Sequence, residues 1–320
     1  MSKTILILDS SQISTFLDCP TMWQLGYQER LQPAAAKENV PMDMGTYGHK
    51  LLEIIYKERA KGNSAGALDC AFSYNIDRET CRCSHGAERH GESFTKPCLS
   101  VGCGCMEFQP IEFPLSEPDR AFVRQRVQEY TFVEGSSIPE LVPHSPDHVE
   151  VGFSEKIYGD SERLYILEGR IDLLGQIAGN VTNGWADHKF QSRERDLYLK
   201  SIQFRNYAMV TKLPIGVVNY IRFAKKIEKD KTFKRAVISF SRLEMEAWRQ
   251  ELLAIFHRVE QFLKYPETMS SVEVRNWAAC SGRFGYPCEF TPLCEEWNNP
   301  PLVQLKKEAE FKKKAEWRPW

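Results

Sequence analysis

The sequence contains no apolar run approaching the ~18 residues that a bilayer-crossing helix needs, and it opens with no leader of the secretory type. Both absences point to a soluble, cytoplasmic protein rather than a membrane or exported one. It also lacks a charge surplus. Its 42 Lys and Arg stand against 43 Asp and Glu, a net charge of −1, so bulk electrostatics announces no nucleic-acid partner and any basic surface must be local. No internal repeat or long low-complexity tract is present, which excludes solenoids and arrays. No GxxxxGK[ST] loop occurs, so nucleotide-driven translocation, if needed, falls to a partner.

What is present begins with size. A chain of 320 residues, 42% hydrophobic and 27% charged, can build one large domain or two small ones around a sizeable core. Cysteine is plentiful, at ten residues. In a reducing compartment that number favours metal ligands over disulfides. Cys81, Cys83, His85, His90, Cys98, Cys103 and Cys105 crowd into one segment rich in Gly, Pro and Ser, with little apolar material. Such an insertion, 78–110, folds by itself only with a staple, and zinc is the expected one. Seven candidates exceed the four of one tetrahedral site and fall one short of two separate sites. The best-spaced opposing pairs are Cys81 or Cys83 with His85 or His90, against Cys98 with Cys103 or Cys105. A disordered insertion is the alternative.

Elsewhere the pattern alternates between strand and helix. TILIL at 4–8 reads as a short strand. A helix follows, capped by Ser10 or Ser11 and running to about Asp18, and Pro20 opens a second helix to about Arg30. Residues 43–60 form a helix that sets His49, Glu53 and Tyr56 one turn apart on one side. Helical texture resumes at 62–77 and at Glu117–Glu134, whose Phe122, Val123, Val127 and Tyr130 point inward. Residues 135–148 read as a linker, and Val149–Tyr158 as a strand in which Glu150 faces solvent rather than the site. Gly216–Phe223 and Phe233–Phe240 make a hairpin around the charged loop KKIEKDK, a solvated loop or a phosphate-contacting tip, and Arg242–Lys264 makes a long helix.

The chemistry concentrates at 166–207. Two β-rich runs, Tyr165–Ile177 and Val181–Phe190, flank Ala178-Gly179-Asn180, a hairpin signal. Asp172 interrupts the first run. Asp187 and Lys189 end the second, and strand alternation puts them on one face with His188 on the other. The helical stretch Leu197–Leu213 makes neighbours of Gln203 and Tyr207. Carboxylates on paired strands beside a lysine and a polar helix face suit a divalent cation next to a phosphate.

Gly-Arg-Ile-Asp (169–172), Asp-His-Lys (187–189) and Gln-x-x-x-Tyr (203–207), in this order, resemble the PD-(D/E)XK nucleases. The branch most resembled is the RecB/AddB-like one, which includes the CRISPR-associated iron–sulfur exonucleases. The resemblance implies an α/β fold with a central mixed sheet flanked by helices, in which residues 1–300 form a single nuclease domain with its core at 148–225. Residues 301–320 then form a charged C-terminal helix or tail, with Lys306–Trp320 as its last stretch. It implies Mg²⁺ or Mn²⁺ held by His49, Asp172, Asp187 and the His188 backbone carbonyl, with Lys189 orienting the attacking water and Gln203 and Tyr207 orienting the lysine and the DNA backbone. Ser-x-x-Ser-x-Phe-x-x-Cys-Pro (11–20), followed by Trp23 and Tyr27, resembles the opening of the cluster-bearing members. The pattern of one N-terminal and three C-terminal cysteines then implies a 4Fe–4S cluster on Cys19, Cys280, Cys288 and Cys294, with structural zinc as the alternative. The implied activity is a metal-dependent DNA exonuclease acting on ends or single strands in recombination, repair or replication, with a helicase or recombination protein as partner. An endonuclease of the same fold, or a non-catalytic DNA-binding adaptor with metal modules, are the other readings.

Overall fold

The computed structural model describes residues 3–35, 40–73, 115–134, 141–177, 182–191, 201–223, 232–264, 276–280 and 287–314. The insertion at 78–110, the Ala178–Asn180 turn, the charged loop at 225–231 and residues 315–320 lie outside them. The strands are β1 (Thr4–Leu8), β2 (Leu31–Pro33), β3 (Leu141–Val142), β4 (Val149–Gly159), β5 (Arg163–Ile177), β6 (Asn183–Gln191), β7 (Ile215–Arg222), β8 (Phe233–Ser239) and β9 (Phe311–Lys313). The helices are α1 (Ser10–Asp18), α2 (Pro20–Trp23), α3 (Val40–Ala60), α4 (Ala67–Ser73), α5 (Glu117–Glu134), α6 (Ile202–Thr211), α7 (Arg242–Lys264), α8 (Trp277–Cys280), α9 (Thr291–Glu295) and α10 (Pro300–Glu310).

The chain divides into two units. One takes residues 1–37, 154–169 and 246–317; the other takes 38–153, 170–245 and 318–320. Strands β4 and β5 contribute to both.

In the first unit β1 pairs parallel with Arg163–Leu167 of β5. Asp9, not Ser10 or Ser11, caps α1: its side chain accepts the Gln12 N–H at 2.8 Å. The capping oxygen comes one residue earlier than expected because a carboxylate is as good an acceptor there as a hydroxyl. Cys19 is extended, which separates α1 from α2. Beyond Trp23 the chain enters a π-helical turn, Gln24–Gln28, instead of continuing as α-helix to Arg30. Trp23, Phe16 and Phe262 pack edge to face with centroids 5.5–6.2 Å apart. A smaller core gathers Leu25, Leu31, Phe290, Leu293, Val303 and Phe311. The charged C-terminal element begins at Pro300, earlier than the sequence suggests, because Asn299 caps α10, and its described part runs on into β9, which pairs antiparallel with β2.

In the second unit the sheet is mixed. β5 and β6 pair antiparallel, β6 and β7 parallel, β7 and β8 antiparallel, and β3 joins the end of β5. Central β7 is buried from Gly216 to Ile221, as a strand covered on both faces should be. Helices α3, α4 and α5 supply Leu51, Ile55, Ala71, Val123 and Val127 to a core that also takes Leu173, Ala186 and Val217. Another core joins Phe204, Tyr207 and Ala208 of α6 to Trp185 and Val218. This is the expected α/β arrangement, a mixed sheet flanked by helices.

The expected helix at Leu197–Leu213 starts instead at Ile202, where Ser201 is extended and caps it, and ends at Thr211 with Lys212 left-handed. Of the stretch 62–77 read as helix, the described residues make turns followed by α4, and 74–77 lie outside them. The linker at 135–148 contains β3 and a 3₁₀ turn, Pro146–His148.

Candidate active site

The β5–β6 ladder runs from Gln176↔Asn183 to Leu173↔Ala186 and stops there. One step on, Asp172 and Asp187 would face each other. Ile171 packs with Trp185 and Phe204 while Leu173 packs with Ala186 and Val217, so Asp172 sits where the strand passes from one core to the other. Where the ladder ends the His188 N–H loses a strand partner, and Asp172 Oδ2 accepts it at 2.7 Å.

Three side chains converge there. His49 Nδ1 lies 3.4 Å from Asp172 Oδ2. His49, Glu150 and Asp172 each offer one ligand atom, all within 4.8 Å of one another, the span of a single coordination shell. Helix α3 brings His49 close because its neighbour is Gly48: a Cβ at Gly48 would come within 2.6 Å of the Phe190 ring on β6. Glu150 corrects the expectation of a solvent-facing strand residue. Its φ is +56°, a left-handed backbone that turns it out of strand register. Arg170 stands 3.5 Å from its carboxylate.

The second carboxylate belongs to a different set. Asp187 is 1% exposed, and its Oδ2 sits 2.8 Å from Lys189 Nζ. Gln203 Oε1 accepts from Lys189 Nζ at 2.8 Å, while its Nε2 donates to Asp187 Oδ1 at 3.1 Å and to the Tyr207 oxygen at 2.6 Å. Tyr207 in turn donates to the Arg170 carbonyl at 2.6 Å. Gln203 thus holds the ammonium with one atom and the carboxylate with another.

Burial and the nearby Asp172 charge outweigh Lys189 and push the Asp187 carboxyl up to about 6. Burial also opposes the Asp172 anion, but His49, the His188 N–H and Lys189 overcome it and hold that carboxyl below the usual range. Burial, then Asp172 and Glu53, push Glu150 well up. Burial pushes His49 down to about 4, which leaves a neutral imidazole with a lone pair to donate. Two carboxyls raised and an imidazole left neutral are what an unmatched acidic pocket shows, and a divalent cation would relieve them.

His49, Asp172, Asp187, Lys189, Gln203 and Tyr207 therefore gather in the second unit, with His188 behind them. Sequence reasoning set Glu150 aside and missed Arg170, whose only signal was its place beside Asp172 in Gly-Arg-Ile-Asp. The cysteines Cys19, Cys280, Cys288 and Cys294 lie in the first unit. The Cys288 N–H donates to the Cys280 carbonyl at 3.0 Å. Burial and then Cys19 push the Cys280 thiol up; burial, Cys280 and Cys19 raise Cys288. Cys19 is thus close enough to act on both thiols, although it stands ~260 residues upstream of them along the chain. The zinc candidates Cys81 to Cys105 lie outside the described residues.

The chain belongs to the PD-(D/E)XK nuclease superfamily, whose family model matches residues 10–295. No curated protein matches it. Among solved structures it is similar to a candidate exonuclease from Eubacterium rectale, at 9% identity, TM-score 0.36, covering 84% of this chain and 83% of that one. It is also similar to SSO0001, at 15% identity, TM-score 0.30, covering 56% and 71%. As a superfamily member it is a nuclease, a phosphodiester hydrolase that works with divalent metal.

Proposed function

We propose that this member of the PD-(D/E)XK nuclease superfamily is a DNA exonuclease of the RecB/AddB-like branch, acting on DNA ends or single strands. The observation that carries the reading is the meeting of a His49–Glu150–Asp172 donor set with the Asp187–Lys189–Gln203–Tyr207 network. The donor set fits Mg²⁺ or Mn²⁺, and one imidazole among carboxylates suits Mn²⁺ at least as well. Asp187 and the His188 backbone carbonyl complete the proposed ligands. Such a cation lowers the cost of ionising a water and offsets charge on the phosphate.

The chain's own residues do the rest. Lys189, its ammonium fixed between Asp187 and Gln203, offsets phosphate charge and orients the incoming water. Gln203 keeps that ammonium from swinging into solvent. Tyr207 ties the network to the backbone just before Asp172. A helicase or recombination protein is the proposed partner for opening duplex ends.

The test is topological. With Mn²⁺ or Mg²⁺, end-labelled linear DNA, single- or double-stranded, should be degraded progressively while covalently closed circles survive. Nicking of circles at a comparable rate would replace the exonuclease with an endonuclease of the same fold. No cleavage of any DNA would leave the non-catalytic adaptor.

Two further metal modules belong to the proposal. Cys19, Cys280, Cys288 and Cys294 hold a 4Fe–4S cluster. The insertion holds zinc through a subset of Cys81, Cys83, His85, His90, Cys98, Cys103 and Cys105. Purified protein should carry about one or two zinc ions per chain. Cys83→Ser with Cys98→Ser should remove zinc without altering Mn²⁺ binding, and Asp172→Ala should do the reverse. Unchanged zinc content in the double cysteine variant would remove the module.

A further inference from the structure

We propose that His188, the residue between Asp187 and Lys189, is a positioning residue for Asp172, and that Arg235 fixes its tautomer through Asn219. The inference rests on Asp172 being a metal ligand, as proposed above.

Register places the three residues in a row. His188 of β6 pairs with Asn219 of β7, and Asn219 pairs with Arg235 of β8. Their side chains line one face of the sheet, perpendicular to the strands. His188 is 2% exposed and Asn219 3%. Tyr56 and Tyr130 enclose the imidazole, with ring centroids at 5.4 and 5.9 Å.

Donor and acceptor types set the direction. A guanidinium only donates. Arg235 Nε donates to Asn219 Oδ1 at 2.6 Å, which commits the amide oxygen and turns the amide nitrogen toward His188. Asn219 Nδ2 stands 3.3 Å from His188 Nε2. That nitrogen only donates, so Nε2 must accept, and in the neutral ring the proton sits on Nδ1. Tyr130 agrees with this. Its oxygen accepts from Arg235 at 3.3 Å and, 3.5 Å from His188 Nε2 and 3.4 Å from the Tyr56 oxygen, can donate to that ring nitrogen.

The Nδ1 proton therefore faces Asp172 Oδ2, 3.5 Å away. The same oxygen already accepts the His188 backbone N–H at 2.7 Å. One residue thus addresses one carboxylate oxygen twice, the same oxygen that lies 3.4 Å from His49 Nδ1, and so fixes how Asp172 is presented to the donor set. The opposite tautomer would aim a lone pair at the anion. Outer hydrogen bonds of this kind commonly govern metal affinity by about 10–100-fold.

The test uses the full-length protein with ¹⁵N-labelled histidine. In metal-free wild type, long-range ¹H–¹⁵N spectra with the ring neutral should show a pyrrole-type Nδ1 and a pyridine-type Nε2 for His188. The reverse assignment overturns the proposal outright. Asn219→Asp offers Nε2 an acceptor, keeps a partner for Arg235 and should move the proton to Nε2. Mn²⁺ affinity should then fall about tenfold or more. His188→Asn retains a donor near the Nδ1 position and should keep affinity within about threefold, whereas His188→Leu should match Asn219→Asp. Should Asn219→Asp not fold, Arg235→Met frees the amide to rotate and should mix the tautomers. Equal affinity in His188→Asn and His188→Leu refutes the positioning role. Failure of the metal reading is seen separately: Mn²⁺ binding would then be absent from wild type or indifferent to Asp172→Ala, while the tautomer spectrum still decides the relay.

Discussion

Lys189→Ala is expected to reduce DNA cleavage by on the order of 10²–10³-fold or more, the scale of losing a preorganised charge at a reacting phosphate, while Mn²⁺ affinity stays near wild type. The lysine lies with Gln203 and Asp187, not among the His49–Glu150–Asp172 donors, so its loss should touch the reaction and not the cation. Asp187→Ala should also abolish cleavage and should weaken Mn²⁺ binding as well. Asp172→Ala and Glu150→Gln should weaken it most. Glu150→Gly adds a control that contact loss alone does not offer. A φ of +56° costs a glutamate roughly 1–3 kcal/mol and a glycine almost nothing. The metal-free Glu150→Gly protein should therefore be no less stable than wild type while binding Mn²⁺ poorly. Titrating Mn²⁺ by calorimetry and cleaving end-labelled DNA separate the two halves. Wild-type rates from a clean Lys189→Ala preparation would sink the assignment of the lysine.

That result would bear on how far such a site can be read from residues alone. The strands around it were legible because apolar runs punctuated by turn residues have few alternatives: β7 and β8 lie within a residue of Gly216–Phe223 and Phe233–Phe240. Gln203 and Tyr207 were legible as neighbours because helical spacing is fixed. Glu150 was not. Strand alternation assumes ordinary backbone angles, and nothing in Val149-Glu150-Val151 announces a left-handed residue. The end of the ladder beside Asp172 was hidden too, since a ladder's end depends on pairing across ~15 residues rather than on local composition. The His188 row was out of reach too: it needs the register of three strands, and the sequence gives no sign that Asn219 and Arg235 stand beside the Asp-His-Lys triplet.

Cys19→Ala carries the other large expected effect, and it falls on stability. Cys19 sits at the extended junction between α1 and α2, buried, and among the described residues it bears on the thiols of Cys280 and Cys288 in the C-terminal segment. Protein contacts already join these parts. Asn276 Nδ2 donates to the Asp18 carbonyl at 2.9 Å, and Lys307 pairs with Glu29 at 2.6 Å. Each is a partly exposed polar contact, of the kind that contributes about 1 kcal/mol at most. Four thiolates on one cluster would contribute far more, because ligation that exists only in the folded chain counts wholly toward folding. The anaerobic protein should accordingly be brown, with broad absorbance on the order of 400 nm that dithionite or oxygen alters. Cys19→Ala should bleach it, lower Tm by roughly 10 °C or more and open both ends of the chain to protease. Cys288→Ala should look the same, and the double variant should add nothing, since one missing thiolate already costs the cluster. Mn²⁺ binding should survive in whatever fraction stays folded, because His49, Glu150 and Asp172 belong to the other unit. A colourless anaerobic protein with neither iron nor zinc at these cysteines, or a Cys19→Ala variant as stable as wild type, would leave the two ends held by those polar contacts, the β2–β9 pairing and side-chain packing, with Phe290 against Gly26 and Phe311 as its centre.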